Sequence, residues 1–440
     1  MRALAVLLGD RRVGTLAESD DLWRFAYDSR WRCAADSFDL APSLPRAQGE
    51  IIDGATNRPV QWYFDNLLPE EALREAVSRE ARIRGEDAFG LLTWLGAESA
   101  GSLTLLPPDH PLPAENALRP LPDAELAERI ARLPRETLGA QAPKLMSLAG
   151  AQHKLLVVVK DGQLYEPVGA TPSTHILKPQ HPDETQYPAS VLNETITMRL
   201  AAAVGLSTAA VGTRQIPAPV YLVERFDRRP RPGAAGAAPV TERLHIIDGC
   251  QLLGRARGFK YAGATLESLR ALALATRNRV QARVGLFRWL VFNVIVGNDD
   301  SHLKNLSFFA RPDGYALAPH YDLLSTAAYR TRAIAQDRAK WPDVDMAFPL
   351  PGARTFGEVT RPALVDAGGA LGLNAATASR IVRELVARIP AAFQSLKVEV
   401  QTIQAARPPA LAGLTAIETR TLGAIECIVV RDTLARIAAS

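Results

Sequence analysis

The hydrophobic pattern changes about halfway along the chain, and this change limits the folds that the sequence can adopt. Up to about residue 228, short apolar runs bounded by turn residues predict β-strands with a few helices between them. Beyond that point, apolar residues recur at helical spacing over 280–296, over 375–389 and within 414–438. At 440 residues, the chain also exceeds what one hydrophobic core usually supports. We therefore expect an α+β fold with a mixed α/β N-terminal lobe and an α-rich C-terminal lobe.

Two proline-containing stretches interrupt the regular patterns. Residues 107–113 hold several prolines, which remove backbone donors, so this segment predicts a linker. Residues 230–239 are rich in Pro, Gly and Ala and predict a flexible loop. The predicted organisation is an N-terminal subdomain over 1–106, a linker over 107–122, a small lobe over 123–228 and a C-terminal lobe over 229–440.

The composition excludes several classes of protein. With 47% hydrophobic and 22% charged residues, the chain is typical of globular proteins and unlike disordered or fibrous ones. The net charge is +4 and the basic residues form no block, so composition alone does not indicate a DNA-binding protein. The three cysteines lack metal-site spacing, and no apolar stretch is long enough to span a membrane. We expect a cytoplasmic protein that makes no membrane contact.

The predicted strands and helix after the linker follow the order of a kinase small lobe. The β-branched run 154–160 ends at Asp161-Gly162, a strong hairpin signal. Residues 173–178 predict a further strand that ends at Lys178, and 193–200 has helical character. In this position Lys178 can neutralise nucleotide phosphates. Taken alone, a lysine before a proline is more often a surface residue.

A cluster of polar residues, 297–305, lies between a predicted buried helix and an apolar strand, where loops commonly carry catalytic groups. Asp300 and Asn305 have the D-x-x-x-x-N spacing of the kinase catalytic loop. There the carboxylate accepts the proton of the substrate hydroxyl, and the amide oxygen binds Mg²⁺. Lys304 can contact the transferred phosphate. The spacing alone also fits a solvated turn rich in Asp and Asn.

A second strand-like run ends at Asp322 shortly after this loop. If the two strands pair antiparallel, Asp322 returns toward Asn305, and together they offer hard oxygen ligands for Mg²⁺. The order Lys178, Asp300, Asn305, Asp322 is that of a kinase throughout. The sequence therefore favours phosphoryl transfer from ATP with Mg²⁺.

Two other classes of function stay open at this point. A metal-dependent phosphohydrolase or nuclease could use a group of acids and histidines, although it would leave Lys178 unexplained. A degenerate kinase could serve only as a DNA-bound co-repressor, although all four expected kinase positions are present. The acids and histidines of the first alternative are Asp299, Asp300, His302, His320 and Asp322.

Several segments together resemble the HipA family of bacterial toxin kinases, the toxins of toxin–antitoxin pairs. Two upstream segments, 13–16 and 62–69, resemble the family's N-terminal subdomain. The resemblance implies a bilobal protein-kinase-like fold that includes this extra subdomain. The segments that carry it are 147–154 (SLAGAQHK), 175–179 (HILKP), 223–228 (VERFDR), 248–251 (DGCQ), 297–305 (GNDDSHLKN) and 319–322 (PHYD).

Carried over to this chain, the resemblance implies specific roles. Asp300 is the base, with Lys304 beside it, and Asn305 and Asp322 hold Mg²⁺. Backbone groups of Glu224 and Phe226 form the hinge that receives adenine. ATP phosphates are bound by Lys178 and by a loop of small residues, Ala149, Gly150, Ala151 and Gln152.

The resemblance also implies regulation and partners. Ser147 matches the position at which family members autophosphorylate, and the partner there is a helix-turn-helix antitoxin of HipB type that contacts DNA. The protein substrates are translation factors such as an aminoacyl-tRNA synthetase. Two residues depart from the family pattern. His153 stands where an acid is common, and Asp299 adds a carboxylate beside the implied base.

Overall fold

A computed structural model describes most of the chain: residues 1–96, 98–99, 101–110, 116–144, 150, 152–232 and 240–440. The described residues divide into two compact units, each assembled from separate stretches of sequence. The predicted domain boundaries, which are contiguous in sequence, remain predictions. Unit 1 consists of Met1–Pro179, Arg214–Phe259 and Ser307–Ala318, and unit 2 consists of Gln180–Thr213, Lys260–Leu306 and Pro319–Ser440.

The strands and helices are numbered in chain order. The strands are β1 (Arg2–Leu8), β2 (Arg11–Ser19), β3 (Leu22–Tyr27), β4 (Glu50–Ile52), β5 (Leu103–Leu106), β6 (Asn116–Pro120), β7 (Leu155–Lys160), β8 (Gln163–Gly169), β9 (His175–Lys178), β10 (Val211–Ile216), β11 (Ala218–Glu224), β12 (Arg228–Arg231), β13 (Val240–Arg243), β14 (Ile246–Asp248), β15 (Ser307–Arg311), β16 (Gly314–Leu317), β17 (Asp345–Leu350) and β18 (Ala353–Thr355). The helices are α1 (Ser29–Cys33), α2 (Pro59–Asp65), α3 (Glu71–Ala81), α4 (Ala88–Leu95), α5 (Asp123–Ala131), α6 (Ser190–Ala203), α7 (Gly249–Leu252), α8 (Phe259–Ala262), α9 (Leu266–Ala275), α10 (Arg279–Val296), α11 (Arg332–Ala335), α12 (Arg361–Ala370), α13 (Ala375–Ala405), α14 (Ala412–Ala424) and α15 (Arg431–Ala439).

A five-stranded sheet in the order β4-β3-β2-β1-β5 forms the N-terminal part of unit 1. Its apolar side chains pack against α2 and α4, where Phe25 meets Phe64 and Trp23 meets Phe89 edge to face. These four aromatic side chains are almost completely buried. Burial of rings of this size supplies much of the stability of a core.

The second sheet of unit 1 has the order β10-β11-β9-β7-β8-β6. The predicted hairpin at Asp161-Gly162 is confirmed between β7 and β8, and both turn residues have positive φ, as its tight turn requires. β6 lies within the stretch 107–122 that was predicted to be a linker, and it pairs with β8 along its whole length. Leu126 of α5 packs on one face of this sheet with Val157 and Leu177.

Two residues of the loop predicted over 230–239 lie in a strand. Pro230 and Arg231 belong to β12, which pairs antiparallel with β13, while 233–239 lie outside the described residues. Arg229 donates to Glu242 on the facing strand. The cross-strand ion pair supplies a contact that composition alone does not predict, so the prediction of a loop was wrong for the two residues in β12.

Unit 2 is mostly helical and is built around α10, which confirms the helix predicted over 280–296. Trp289, Phe292 and Ile295 of α10 are completely buried. The helix predicted over 375–389 begins where expected but does not end before Pro390. It continues as α13 to Ala405, since its buried apolar face extends through Phe393 and Leu396. Tertiary burial thus outweighs the hydrogen bond that proline removes.

The C-terminal segment of unit 2 is a further long helical stretch. α14 runs into a π-helical turn at Ile425–Val430 and then into α15. Val429 of that turn and Ile437 of α15 are completely buried. In the part of the chain that the structure describes, no helix has both the length and the apolar character needed to cross a membrane.

Candidate active site

The polar loop predicted to be catalytic follows directly from the end of α10 in unit 2. Gly297 ends the helix in the left-handed conformation, with φ of 66°. A Cβ atom at this position would lie 2.6 Å from Val429 Cγ1 and 3.0 Å from Ala327 Cβ. Both the conformation and the close approach therefore require glycine, which sets the direction in which the loop leaves the helix.

Neutral side chains then fix the loop. Asn298 is buried, and its Nδ2 donates to Asn293 Oδ1 of α10 at 2.7 Å. Its Oδ1 accepts from the backbone N of Asp300 at 3.1 Å. Thr326 Oγ1 accepts from the backbone N of Asp299 at 2.7 Å. The loop is thus tied to α10 and to the segment after residue 322 of the same unit.

Asp300 has the environment of a weakly acidic carboxylate. The surrounding protein partly shields this carboxylate from water and raises its pKa to about 6; the hydrogen bond from the Tyr261 hydroxyl opposes this rise, and the charges of Asp322 and Asp299 add to it. Its side chain keeps 47% of its surface exposed, and His302 Nε2 lies 4.0 Å from Oδ1. A carboxylate in this state is ionised at neutral pH, accessible to solvent and more basic than an ordinary aspartate.

Asp299, the neighbouring acid, differs from Asp300 in its contacts. Burial also raises the pKa of Asp299, whereas Thr326 and the charge of Arg330 lower it. Its backbone and side chain both interact with Thr326. These contacts hold Asp299 within the fold of unit 2, while Asp300 lies among other acids.

Asn305 and Lys304 end the loop in a 3₁₀ turn, Leu303–Asn305, and both are buried. Asn305 Nδ2 donates to the backbone O of Asp300 at 2.8 Å, so the two residues of the D-x-x-x-x-N pattern are in direct contact. The Tyr321 hydroxyl donates to the backbone O of Lys304 at 2.9 Å. Because the amide nitrogen of Asn305 is engaged, its oxygen is the atom left for a metal ion.

Asp322 lies close enough to Asp300 for its charge to raise the pKa of that residue. The antiparallel pair predicted before it is confirmed in unit 1 as β15 and β16. β16 ends at Leu317, however, and Asp322 lies in an irregular segment with φ of 58°. A positive φ is uncommon outside glycine and costs about 1–3 kcal/mol, a strain that clusters at functional sites.

The donor set of Asn305 and Asp322 suits Mg²⁺. Mg²⁺ prefers oxygen ligands and is usually held by one or two protein groups, with phosphate oxygens and water completing its shell. Among the described residues, no group of three or more His, Cys, Asp or Glu side chains is placed to hold a metal ion. A Mg²⁺ site made of one amide oxygen, one carboxylate and the phosphates of a nucleotide does not need three such side chains.

His320, one of the residues considered for a metal-dependent hydrolase, packs inside unit 2. Its ring stacks on Trp289 with 6.2 Å between centroids, and its backbone pairs with Ser207 and Ala209. Burial lowers its pKa to about 4. His320 therefore contributes to the core of unit 2 as a neutral ring.

The predicted nucleotide-binding residues lie in unit 1. Lys178 ends β9 and is 9% exposed, with its Nζ 5.7 Å from the centre of the Tyr221 ring on β11. Glu224 ends β11 and is exposed, and Phe226 meets Phe309 edge to face at 6.0 Å. The strand predicted to carry Lys178 is confirmed, and Lys178 stands at its end.

The predicted phosphate loop is described only in part. Ser147, Ala149 and Ala151 lie outside the described residues. The backbone O of Gly150 accepts from the backbone N of Glu70 at 3.2 Å, and Gly150 has φ of 109°. Gln152 is partly buried just before β7. A conformation that favours glycine is consistent with a backbone that approaches a ligand closely.

Sequence patterns did not identify several residues of the site. Tyr261 lies in the short helix α8, and its contact with Asp300 spans 39 positions. Thr326 lies 27 positions from the backbone N that it contacts. Neither belongs to a motif. Asn298 lies inside the predicted catalytic loop, 297–305, but its role in holding the loop is visible only in the structure.

Comparison with known proteins identifies the family of this chain. The family model of the HipA-like C-terminal domain matches residues 146–393, more than half of the chain. The chain belongs to the HipA family. The model of the HipA N-terminal domain matches residues 4–106. The resemblance seen in the sequence is therefore confirmed for both the N-terminal and the C-terminal domain.

Curated relatives of this HipA-family chain are named as kinases. A putative kinase, Y4mE, of Sinorhizobium fredii is 38% identical over 321 residues, which cover 69% of this chain and 72% of the relative. The serine/threonine-protein kinase toxin HipA of Shewanella oneidensis is 33% identical over 347 residues, which cover 74% of this chain and 76% of the relative.

A solved structure of the Shewanella oneidensis MR-1 toxin–antitoxin system, a complex of HipA, HipB and operator DNA, matches nearly the whole chain. The TM-score is 0.77 at 28% identity, and the match covers 98% of this chain and 99% of that chain. The predicted α+β, protein-kinase-like fold class is therefore confirmed.

Proposed function

We propose that this HipA-family protein is an ATP- and Mg²⁺-dependent serine/threonine protein kinase that acts as the toxin of a HipA/HipB-like toxin–antitoxin pair. The observation that carries the proposal is the loop in which Asn305 contacts Asp300 while the charge of Asp322 reaches the same carboxylate. This is the set of base and metal ligands that phosphoryl transfer requires. Relatives named as kinases support it.

Asp300 is the general base in this proposal. With a pKa of about 6, its carboxylate is ionised at neutral pH and accepts the proton of the substrate hydroxyl. The hydroxyl oxygen forms a bond to the γ-phosphorus of ATP as the bond from that phosphorus to the β–γ bridging oxygen breaks, and ADP leaves. Lys304 stabilises the transferred phosphate, and Asp300 returns its proton to solvent.

Asn305 and Asp322 would hold Mg²⁺ through their oxygen atoms. A bound Mg²⁺ would supply positive charge that offsets the negative charge developing on the transferred phosphate. Lys178 binds ATP phosphates as a compact positive charge. Backbone groups of Glu224 and Phe226 receive adenine.

The loop Ala149, Gly150, Ala151 and Gln152 completes the proposed phosphate-binding residues. Ser147 is the proposed autophosphorylation site. A phosphate there would add a charge of about −1.5 to −2 next to groups that bind the phosphates of ATP. Repulsion between the two sets of phosphates would weaken ATP binding and inactivate the kinase.

The proposed partner is a helix-turn-helix antitoxin of HipB type, since the matching solved structure is titled as a HipA, HipB and operator DNA complex. DNA is then contacted mainly through the antitoxin. The proposed substrate is a translation factor such as an aminoacyl-tRNA synthetase, as the family resemblance implies.

Replacing Asp300 by Asn tests the proposal. Asn keeps the size of the side chain and removes the base, so phosphoryl transfer should fall about 10²- to 10⁴-fold while Mg·ATP binding persists. The readouts are autophosphorylation with labelled ATP, Mg·ATP affinity by calorimetry, and growth inhibition on expression. Asp299→Asn is the matched control and should retain most of the rate.

Three outcomes contradict the proposal. If Asp300→Asn leaves autophosphorylation and growth inhibition unchanged, Asp300 is not the base. If the wild type hydrolyses phosphoesters with no dependence on Lys178, a metal-dependent hydrolase replaces the kinase. If the wild type neither binds Mg·ATP nor transfers phosphate but represses its operator with an antitoxin, the chain is a degenerate kinase. Phosphoproteomics of cells expressing wild type or Asp300→Asn would identify the protein substrate.

A further inference from the structure

The carboxylate of Glu98 in unit 1 is buried and surrounded by basic side chains. The side chain is completely buried and accepts from Lys144 Nζ at 2.8 Å and from Arg228 Nη2 at 2.9 Å. Arg243 Nη2 and Arg225 Nη1 lie 3.4 and 3.5 Å from its oxygens. The interactions of this carboxylate with the four cations are strong, because the low dielectric of the protein interior strengthens each of them.

A hydroxyl and a second carboxylate complete the cluster. Ser173 Oγ donates to Glu98 Oε1 at 2.9 Å and accepts from Arg225 Nη1 at 3.1 Å. Arg225 makes a two-point contact with Asp227, with Nε to Oδ1 at 2.9 Å and Nη2 to Oδ2 at 2.7 Å. The cluster thus contains two acidic and four basic side chains.

Electrostatics make Glu98 the residue on which the cluster depends. Burial alone would raise the pKa of Glu98, but the surrounding cations hold it well below its usual range. Burial also lowers the pKa of Arg228 to about 10, and the charge of Arg225 adds to that effect. Removing the Glu98 charge would leave one carboxylate among four buried cations.

Two partners of Glu98, Arg225 and Ser173, lie within or next to segments proposed to bind ATP. Arg225 stands between Glu224 and Phe226, the proposed adenine hinge. Ser173 lies two residues before β9, which ends in Lys178. Glu98 itself belongs to the stretch that matches the HipA N-terminal domain.

We propose that Glu98 is a positioning residue for nucleotide binding, through which the N-terminal domain aligns the adenine hinge and the Lys178 strand. The inference rests on the proposed ATP-binding roles of those segments. Glu98 touches no nucleotide in this scheme, and it acts through Arg225 and Ser173. Its loss should therefore weaken ATP binding more than it slows the chemical step.

The test compares Glu98→Gln with Glu166→Gln in the full-length protein. Glu166 is also completely buried in unit 1 and pairs with Arg119 and Arg129, but its partners lie on β6 and α5, outside the proposed nucleotide-binding segments. Glu98→Gln should raise the Kd and KM for Mg·ATP about tenfold with kcat changed less than about twofold. Glu166→Gln should leave both constants near wild type at a comparable loss of thermal stability.

Two more variants keep the test decisive if Glu98→Gln folds poorly. Ser173→Ala removes the hydroxyl between Glu98 and Arg225 without removing a charge, and it should raise Kd in the same direction by a smaller factor. Glu98→Asp keeps the charge and should recover part of the affinity that Glu98→Gln loses.

The outcomes separate this inference from the proposed function. If wild type binds Mg·ATP while Ser173→Ala and Glu98→Gln bind it equally well, the positioning role is refuted. Equal effects of Glu98→Gln and Glu166→Gln on Kd would also refute it and leave a structural role. If wild type itself does not bind Mg·ATP, the proposed function fails.

Discussion

The proposed nucleotide-binding segments of unit 1 and the proposed catalytic loop of unit 2 are held by opposite kinds of interaction. In unit 1, Arg225 of the hinge segment, Arg228 and Lys144 surround the carboxylate of Glu98. In unit 2, amides and a hydroxyl fix the loop around Asp300, chiefly those of Asn298 and Thr326. In unit 1 the buried charged side chains pair with one another, whereas in unit 2 neutral side chains make the hydrogen bonds that fix the loop.

The difference shows in the two carboxylates. Burial favours the neutral form of both, but surrounding cations keep the pKa of Glu98 well below its usual range. At Asp300 burial prevails and raises the pKa to about 6. A carboxylate neutralised by arginines holds structure and cannot accept a proton, while one held in place by neutral groups keeps the basicity that proton transfer requires.

The largest expected effect is on stability and follows from Glu98→Gln. Breaking a buried ion cluster by removing one partner leaves uncompensated charge, so the free energy of unfolding should fall by about 3–5 kcal/mol. Urea denaturation followed by tryptophan fluorescence measures the change. Asp300→Asn is the contrasting variant and should cause no such loss, and a similar loss in both would remove the distinction between the two regions.

The next effect concerns the neutral hydrogen bonds of the loop. Asn298→Ala leaves buried groups on Asn293 and on the loop backbone without their partner, which should cost about 1–3 kcal/mol. Because the backbone of Asp300 is one of those partners, kcat should fall as well. The measurements are urea denaturation and the rate of autophosphorylation.

The control for that variant lies at the other end of the same helix. Asn278 caps the N-terminus of α10, and its Oδ1 accepts from the backbone N of Gln281. Asn278→Ala should cost about 1 kcal/mol of stability and leave kcat unchanged. If it lowers kcat as Asn298→Ala does, the loop responds to the stability of α10 and not to its own hydrogen bonds.

Features set by nearby residues could be predicted from the sequence. The hairpin at Asp161-Gly162 follows from turn residues with positive φ, and α10 follows from its apolar spacing. The pattern of Asp300 and Asn305 was visible because both residues lie in one loop. Patterns of residues close together in the sequence were sufficient in each case.

Features set by distant partners could not be predicted in this way. Glu98 contacts Lys144 across 46 positions and Arg228 across 130, and a lone glutamate among small residues carries no signal of either contact. The extension of α13 past Pro390 depends on burial of Phe393, which a local rule for proline does not include. In both places, tertiary packing decided the outcome.

The two regions should also differ in how pH affects their stability. The folded pKa of Asp300 lies above the usual unfolded value, so this group destabilises the fold increasingly as pH rises from about 4 to about 6. Asp300→Asn removes that effect and should be more stable than wild type above pH 6, with the difference vanishing near pH 4. Urea denaturation across this range measures it, and a constant difference at all pH values would contradict the raised pKa.

The smallest expected effect is a shift in the pH dependence of phosphoryl transfer on replacing Tyr261 by Phe. The hydroxyl of Tyr261 stabilises the ionised form of Asp300, so its loss should raise the pKa of Asp300 further above about 6. The acidic limb of kcat/KM then moves to higher pH. Tyr321→Phe is the matched control, since its hydroxyl donates to the backbone O of Lys304 and not to the carboxylate. Tyr321→Phe should therefore change the rate without moving the limb. A limb that stays in place in Tyr261→Phe would show that Tyr261 does not tune the base, and that burial and the neighbouring acids alone set its basicity.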